Sequence, residues 1–572
     1  MKKAIMIIAG VGMAICFNAC NTNTGSEEGA FPTDSVSIAL GKAAFMQDCS
    51  SCHNFRADGI GPQLGGLTTF ASAEWIRNFI KDPKSIIESG DTLAAKHYNK
   101  FKTIMPSFAH YTEEKVNGIL AFLNTNKKAP STLGVDDPNA LRNPIPEPIP
   151  MSDLVVNLEL VAQIPPSSEE NPLTRIAKLS FQPITDKIFV MDLRGKLYYL
   201  NEGEPEVYMD MAKLKPNFIH QPGLGTGFGS FAFHPEFSKN GLLYTTHTEP
   251  PGSAKADFGY PDSIKVTLQW VLSEWKTNQP GGFPFVGESR ELFRINMVTG
   301  IHGMQEITFN PLAKPGDADY GLLYVGIGDG GSAESGFPFL CNSPENIWGA
   351  VIRINPRGTN SLNGHYGIPA TNPFSGSENE NIRKEIYAHG FRNPHRIAWS
   401  RKGEIFVSNI GHQNIESLYI ISPGADCGWP VREGTFVIDP SQNMWNIYPL
   451  PPDDAKNNFT YPVAEYDHDE GNAIAGGFEY WGKALPALVG KFVFGDIVKG
   501  RLFYVEMKDL KVGSQAPIKE WQITLNGVPK TLTALCGADK VDERFGIDRH
   551  GELYITTKPD GKVYKLVSAN QP

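Results

Sequence analysis

Beyond its N-terminus the chain has no apolar run approaching the roughly 20 residues that span a bilayer, so no internal membrane helix is expected. Basic residues are in the minority, 52 Lys and Arg against 62 Asp and Glu, for a formal net charge of −10. No basic cluster interrupts that balance, which excludes a polyanion such as nucleic acid as partner. Cysteine is scarce, seven in 572 residues. Cys16 and Cys20 lie in the N-terminal segment, and Cys49 and Cys52 belong to one motif. Cys341, Cys427 and Cys536 remain and can form at most one disulfide, so this is no disulfide scaffold. Helical periodicity is scarce after Leu154. What is plentiful is Gly (57), Pro (43), Phe (33) and Tyr (19), the composition of many short strands joined by turns. The length calls for two or three domains.

The N-terminus reads as an export signal. Lys2 and Lys3 precede an apolar stretch, residues 4–17, too short to span a bilayer. It ends in Phe17-Asn18-Ala19-Cys20, which resembles a lipobox and makes Cys20 a lipid anchor on the membrane; a plain secretory signal cut nearby is the alternative. Residues 1–20 are thus the signal and 21–36 a polar, flexible tether. A bacterial cell-envelope location follows, periplasmic or at the surface.

Cys49-Ser50-Ser51-Cys52-His53 is a C-x-x-C-H motif. Two thiols at this spacing can form thioethers to the haem vinyls while His53 binds the iron. A helix over residues 38–47 precedes the motif. Met105, in Ile104-Met105-Pro106, is the candidate sixth ligand, with His97 and His110 as alternatives. Thr112 caps a helix whose apolar face is Val116, Ile119, Leu120 and Leu123. Together with Gly61-Pro62-Gln63-Leu64, residues 37–126 resemble a small all-α class I cytochrome c. That resemblance implies a covalent haem c and a Pro62 carbonyl that orients His53. The proline-dense residues 127–153 form a semi-rigid extended linker.

From residue 154 to 569 one pattern recurs: a short apolar strand, a polar or Gly-rich turn, a second strand. Copies start near Lys187, Gly241, Gly321, Gly403, Lys491 and Gly551. None can bury a core alone, so they must pack on one another, as six blades of an all-β propeller. A large β-sandwich is the alternative. Asp192, Asp329, Asn409 and Asp496 follow equivalent strands and are expected to ring the channel mouth, unless each makes a local turn bond.

Further motifs are placed on that same face: Phe233-His234-Pro235, Gly300-Ile301-His302-Gly303, Gly328-Asp329-Gly330-Gly331, Phe391-Arg392-Asn393-Pro394 and Asp426-Cys427-Gly428-Trp429-Pro430. In this order they resemble the soluble quinoprotein glucose/sorbosone dehydrogenases, which bind pyrroloquinoline quinone (PQQ) and Ca²⁺ on a six-bladed propeller. The resemblance implies that His302 is the general base for a substrate hydroxyl and that Asp329 orients it. Arg392 and Asn393 contact PQQ, Arg392 beside the reacting carbonyl. The backbone carbonyls of Gly411 and His412 hold Ca²⁺, and Arg544 binds a PQQ carboxylate. Three departures stand out. The family's Gln before Phe-His-Pro falls near Gly225, with Gln221 slightly upstream. The family's Lys falls near Val498-Lys499, and His412 replaces a Pro. The expectation is an exported PQQ- and Ca²⁺-dependent dehydrogenase for a sugar-like alcohol, its own haem the acceptor and the downstream acceptor unknown. The alternatives are a propeller that binds a glycan or partner without PQQ chemistry, and a hydrolytic, lactonase-like propeller.

Overall fold

A computed structural model describes residues 31–50, 52–55, 61–101, 104–127, 137–183, 185–223 and 225–570. The export signal and Cys20 lie outside them.

The N-terminal domain is helical. Helix Ser35–Ala44 starts where the Asp34 carboxylate accepts from Ser37 N at 2.8 Å, and continues as a wider turn, Phe45–Cys49, into the haem motif. Helix Glu113–Asn124 is capped by Thr112 and buries Val116, Ile119, Leu120 and Leu123. The two helices cross at Gly41 and Gly118. A Cβ on Gly41 would lie 1.7 Å from Gly118 O, so only glycine permits that approach.

The second domain is six four-stranded antiparallel blades, each running from the innermost strand outward, with a small three-stranded sheet, Arg432–Glu433, Phe436–Ile438 and Ile447–Tyr448, inserted in the fourth. The first is Ile176–Phe181, Ile188–Asp192, Lys196–Asn201 and Glu204–Asp210. Innermost strands of the next four are Phe228–Phe233, Glu306–Phe309, Pro394–Trp399 and Phe478–Glu479. The sixth starts at Glu543–Ile547, and its outermost strand is the first of the domain, Met151–Gln163. That strand pairs antiparallel with Lys562–Asn570 and parallel with Lys519–Leu525 of the fifth sheet, tying the ring shut. Each of the six repeated segments contributes the second strand of its blade. The closing strand carries no repeat signature, which is why periodicity alone sets the domain's start three residues late.

The proline-rich linker is not a free spacer where it is described. Leu141 N donates to Ile447 O at 2.9 Å, Ile145 N to an Asp467 carboxylate oxygen at 3.1 Å, and Tyr448 O–H to Asp137 at 2.9 Å. The extended backbone that proline favours leaves such groups available for docking on the fourth blade. Cys341, Cys427 and Cys536 are all free thiols. Among the described residues no helix is long and apolar enough to cross a membrane.

Candidate active site

The N-terminal ends of the innermost strands carry the polar side chains that converge on the channel. The six blades bring, in order, Ala177; Gly225 and Gly229; His302 and Gln305; Arg392, Asn393 and His395; Asn472 and Ala473; and Lys540, Asp542 and Arg544. All line one cavity of about 1130 Å³, open mouth included, together with propeller-loop residues such as Glu334, Gly411, His412 and Lys558 and with Ser50, Cys52, His53 and Asn54 of the helical domain.

His302 sits in a loop built around it. Its φ is +53°, a left-handed conformation that costs a non-glycine residue about 1–2 kcal/mol. A Cβ on Gly303 would fall 1.9 Å from Trp270 Nε1, and one on Gly328 would fall 2.5 Å from the His302 Cβ, so glycine at 303 lets the loop pack on the indole and glycine at 328 leaves room for His302. His302 Nδ1 donates to Asp329 Oδ1 at 2.8 Å. Asp329 is itself fixed by Gly331 N at 2.8 Å and Trp429 Nε1 at 3.1 Å. Burial and the nearby Arg392 guanidinium hold the imidazole below the usual histidine range, against the pull of Asp329. A neutral imidazole with Nδ1 committed offers Nε2 as the basic atom.

Arg392 is ion-paired. Its Nε donates to Glu334 Oε1 at 3.0 Å, Nη2 donates to the same oxygen, and Nη1 donates to Gly411 O. His412 Nδ1 lies 3.1 Å from that Glu334 oxygen. Burial pushes the Glu334 carboxyl up, but Arg392 and His412 overcome it and hold the group well below the usual range. The N–H groups of His412, Gln413, Asn414 and Ile415 all donate to Glu433 Oε1. Because trans peptides point N–H and C=O in opposite directions, the Gly411 and His412 carbonyls face away from Glu433. No group of three or more His, Cys, Asp or Glu side chains among the described residues could hold a metal.

The channel floor is cationic. Arg544 pairs with Asp542 at 2.7 Å, and Lys558 reaches the other oxygen of Asp542 at 2.7 Å. Burial lowers the Lys558 ammonium to about 7 in spite of that partner. Both ring nitrogens of the buried His395 and the Nε of Arg544 lack hydrogen-bond partners.

The structure redistributes other expected residues. Asp192, Asn409 and Asp496 turn to nearby backbone N–H groups, and of the four strand-end residues only Asp329 reaches a cavity side chain, through His302. His234 lies at the far end of its blade: strand Phe228–Phe233 has its start at the cavity and is about 20 Å long at 3.3 Å per residue. There His234 Nδ1 accepts from Glu236 N. Lys499 donates to the His468 and Asp469 carbonyls, outside the channel lining. Sequence reasoning missed Glu334, His395, Gln305 and Lys558. Lys558, in Thr557-Lys558-Pro559-Asp560, reads as an ordinary hairpin turn, and nothing local marks Glu334 as the partner of Arg392.

The helical domain encloses an apolar cleft of about 1120 Å³, open mouth included, lined by Cys49, Cys52, His53, His97 and Met105. His53 Nδ1 donates to Pro62 O at 2.7 Å, which fixes the tautomer with Nε2 as the basic nitrogen. A Cβ on Gly61 would fall 2.3 Å from the His53 ring. Two thiols, an oriented imidazole and a thioether around an apolar slot fit haem c. His97 also lines the slot, whereas His110 does not and packs beside Phe108 and Tyr111. The domains meet where Phe101 stacks edge-on against Trp445, centroids 4.7 Å apart, and where Lys115 lies 3.5 Å from Glu170.

Residues 177–524 match the family described as glucose/sorbosone dehydrogenase, and residues 38–127 match cytochrome c. Among curated relatives, HIPL2 protein of Arabidopsis thaliana is 28% identical over 345 residues, 53% of this chain and 46% of that protein. Human Hedgehog-interacting protein is 25% identical over 409 residues, 68% of this chain and 50% of that one. Quinoprotein glucose dehydrogenase B of Acinetobacter calcoaceticus is 24% identical over 234 residues, 38% and 42% of the two chains. The chain spans about half the length of the curated relatives it matches. A PQQ-bound aldose sugar dehydrogenase of Streptomyces coelicolor superposes with TM-score 0.47 at 17% identity, over 72% of this chain and 98% of that one.

Proposed function

The chain belongs to the glucose/sorbosone dehydrogenase family, with a cytochrome c domain ahead of the propeller, and from that premise we propose that it oxidises a sugar-like alcohol in the channel and delivers the electrons to the haem c of its own N-terminal domain. The observation that carries this reading is the shared cavity: the haem-attachment residues Cys52 and His53 and the His302–Asp329 pair line or back one space.

PQQ fits the channel floor by its donor set. Arg544, Lys558 and Lys540 are cations suited to a polycarboxylate, and His395 and Arg544 carry buried polar atoms that lack protein partners. When bound, PQQ supplies the two-electron acceptor and haem c the one-electron carrier. In this reading His302 Nε2 takes the proton of the substrate hydroxyl, Asp329 holds Nδ1 and stabilises the imidazolium, and Arg392 and Asn393 would contact the cofactor. Met105 is the assigned sixth haem ligand. Of the two carbonyls expected to hold Ca²⁺, that of His412 faces away from Glu433 and could take a hard cation, whereas that of Gly411 already accepts from the Arg392 guanidinium and would have to be released first. Cys20 anchors the chain by lipid to a bacterial membrane, on its periplasmic side or at the cell surface.

A second reading, a propeller that binds a glycan or protein partner beside an electron-transfer cytochrome, is favoured by the names of the Hedgehog-interacting relatives. It leaves the strained, twice-anchored His302 loop and the cationic floor without a task. The deciding experiment adds PQQ and Ca²⁺ to the purified full-length holo-cytochrome and screens aldoses for haem reduction at the α-band. Reduction is expected to be first order and independent of protein concentration, because the haem is held at the channel. Absence of reduction with every sugar, with PQQ shown to be bound, overturns the reading.

A further inference from the structure

Gln305 lies three residues beyond His302 on the same loop and lines the same cavity. Its main chain is held from two sides. Thr246 Oγ1 donates to Met304 O at 2.7 Å, and Arg396 Nη1 donates to Gln305 O at 3.2 Å. Its side chain is also anchored: Nε2 donates to Gly225 O at 2.8 Å. A Cβ on Gly225 would meet that nitrogen at 3.0 Å, tighter than ordinary van der Waals contact, so a larger residue at 225 would push the amide back from its present position. With nitrogen committed, the carboxamide oxygen is directed away from Gly225, and among the described residues it accepts no hydrogen bond. Such an oxygen beside a base is an acceptor waiting for a donor. The cavity carboxylates are otherwise engaged, Glu334 by Arg392 and His412, Asp542 by Lys558 and Arg544.

We propose that Gln305 is a specificity-determining residue of this site, its carboxamide oxygen accepting a hydrogen bond from a second hydroxyl of the substrate while His302 receives the proton of the first. The substrate class is therefore an aldose or polyol with neighbouring hydroxyls, and a monofunctional alcohol is a poor substrate. This inference rests on the dehydrogenase reading and deepens it.

The test uses the full-length, haem- and PQQ-loaded protein and a panel of aldoses with their monodeoxy analogues, read by calorimetric sugar binding and by kcat/KM for haem reduction. One neutral hydrogen bond corresponds to roughly 2–13-fold. The wild type should discriminate against one deoxy analogue by that factor, and Gln305→Leu should bind the parent sugar that much more weakly and lose the discrimination. PQQ affinity, followed by fluorescence, should not change. Gly225→Ala, which crowds the amide and leaves Gln305 in place, should reproduce the loss and guards against a folding defect in the first variant. Discrimination retained in both variants overturns the proposal, as does an equal loss against every sugar accompanied by weakened PQQ binding. Gln305-dependent selectivity in binding without haem reduction supports the recognition role and overturns the dehydrogenase reading instead. No sugar binding at all overturns both.

Discussion

Asp329 is the position where a change of one atom should separate chemistry from binding. Three N–H donors converge on its carboxylate: His302 Nδ1 and Gly331 N at 2.8 Å on one oxygen, Trp429 Nε1 at 3.1 Å on the other. Asp329→Asn keeps the shape but offers one acceptor oxygen instead of two. If the amide oxygen serves His302 and Gly331, its NH₂ faces the indole N–H, two buried donors in opposition, at about 1–3 kcal/mol. If it flips, NH₂ faces His302 Nδ1, which must then accept, and Nε2 carries the proton and ceases to be basic. Either way the imidazolium loses its counter-charge. A correctly held general base contributes about 10²–10⁴-fold, and most of that should go. Asp329 does not itself line the cavity, so PQQ and sugar affinities should hold. Stopped-flow haem reduction gives kcat, and fluorescence and calorimetry give the two affinities. Undiminished kcat in Asp329→Asn would refute the assignment of His302 as base; a parallel collapse of both affinities would refute the placement of Asp329 behind the site.

Two predictions concern the haem. Cys49→Ala combined with Cys52→Ala should abolish covalent haem while the propeller still folds, and a haem-stained band surviving denaturation would contradict it. Met105→Ala should keep the haem attached but remove the near-infrared Met-to-iron band; a wild-type spectrum that lacks the band would move the sixth ligand to His97, which lines the same cleft.

How much was legible depended on how far apart in sequence the cooperating residues lie. The haem motif is contiguous, Pro62 is nine residues from His53, and the capped helix after Thr112 announces itself by spacing. The second strand of each blade is legible because turn chemistry and alternation are local. The His302–Asp329 pair, 27 residues apart, was reached only through resemblance. Pairings such as Arg392 with Glu334, 58 residues apart on adjacent blades, or Lys178 with Glu306, 128 apart on the first and third blades, follow from how the blades close around the channel. No period in the chain encodes that. The same holds for Gln305, whose amide occupies space left by Gly225, 80 residues earlier. Read alone, Gly225 looks like a missing ligand; next to Gln305 it is the room an amide needs. The strand-end residues Asp192, Asn409 and Asp496 failed as site markers because their oxygens are taken up by backbone N–H groups of neighbouring segments, Arg175, Asn393 and Asn472, so they support the channel wall without facing it.

The last prediction takes its sign from Lys558. Burial lowers its ammonium to about 7, with Asp542 at 2.7 Å opposing the shift. Below pH 7 it is mainly charged in the folded protein, and above that it is mainly neutral. A lysine whose folded value lies below its unfolded one binds fewer protons when folded, so this group's contribution to stability improves as pH rises through 7 toward the ordinary lysine range. Cofactor affinity must run the other way. A bound carboxylate favours the ammonium and raises its pKa, so affinity for a polycarboxylate should fall by up to about tenfold per pH unit above 7. Binding at pH 8 should take up close to one proton, measurable by calorimetry in buffers of different ionisation enthalpy. Lys558→Gln should bind PQQ more weakly at pH 6, take up no proton, and lose the pH dependence. Arg544→Gln removes a cation but leaves Lys558 in place, so it should weaken binding while the wild-type slope with pH is kept. If wild-type affinity is flat between pH 6 and 9, or if Lys558→Gln keeps the slope, Lys558 does not face the cofactor and the carboxylates lie elsewhere in the channel.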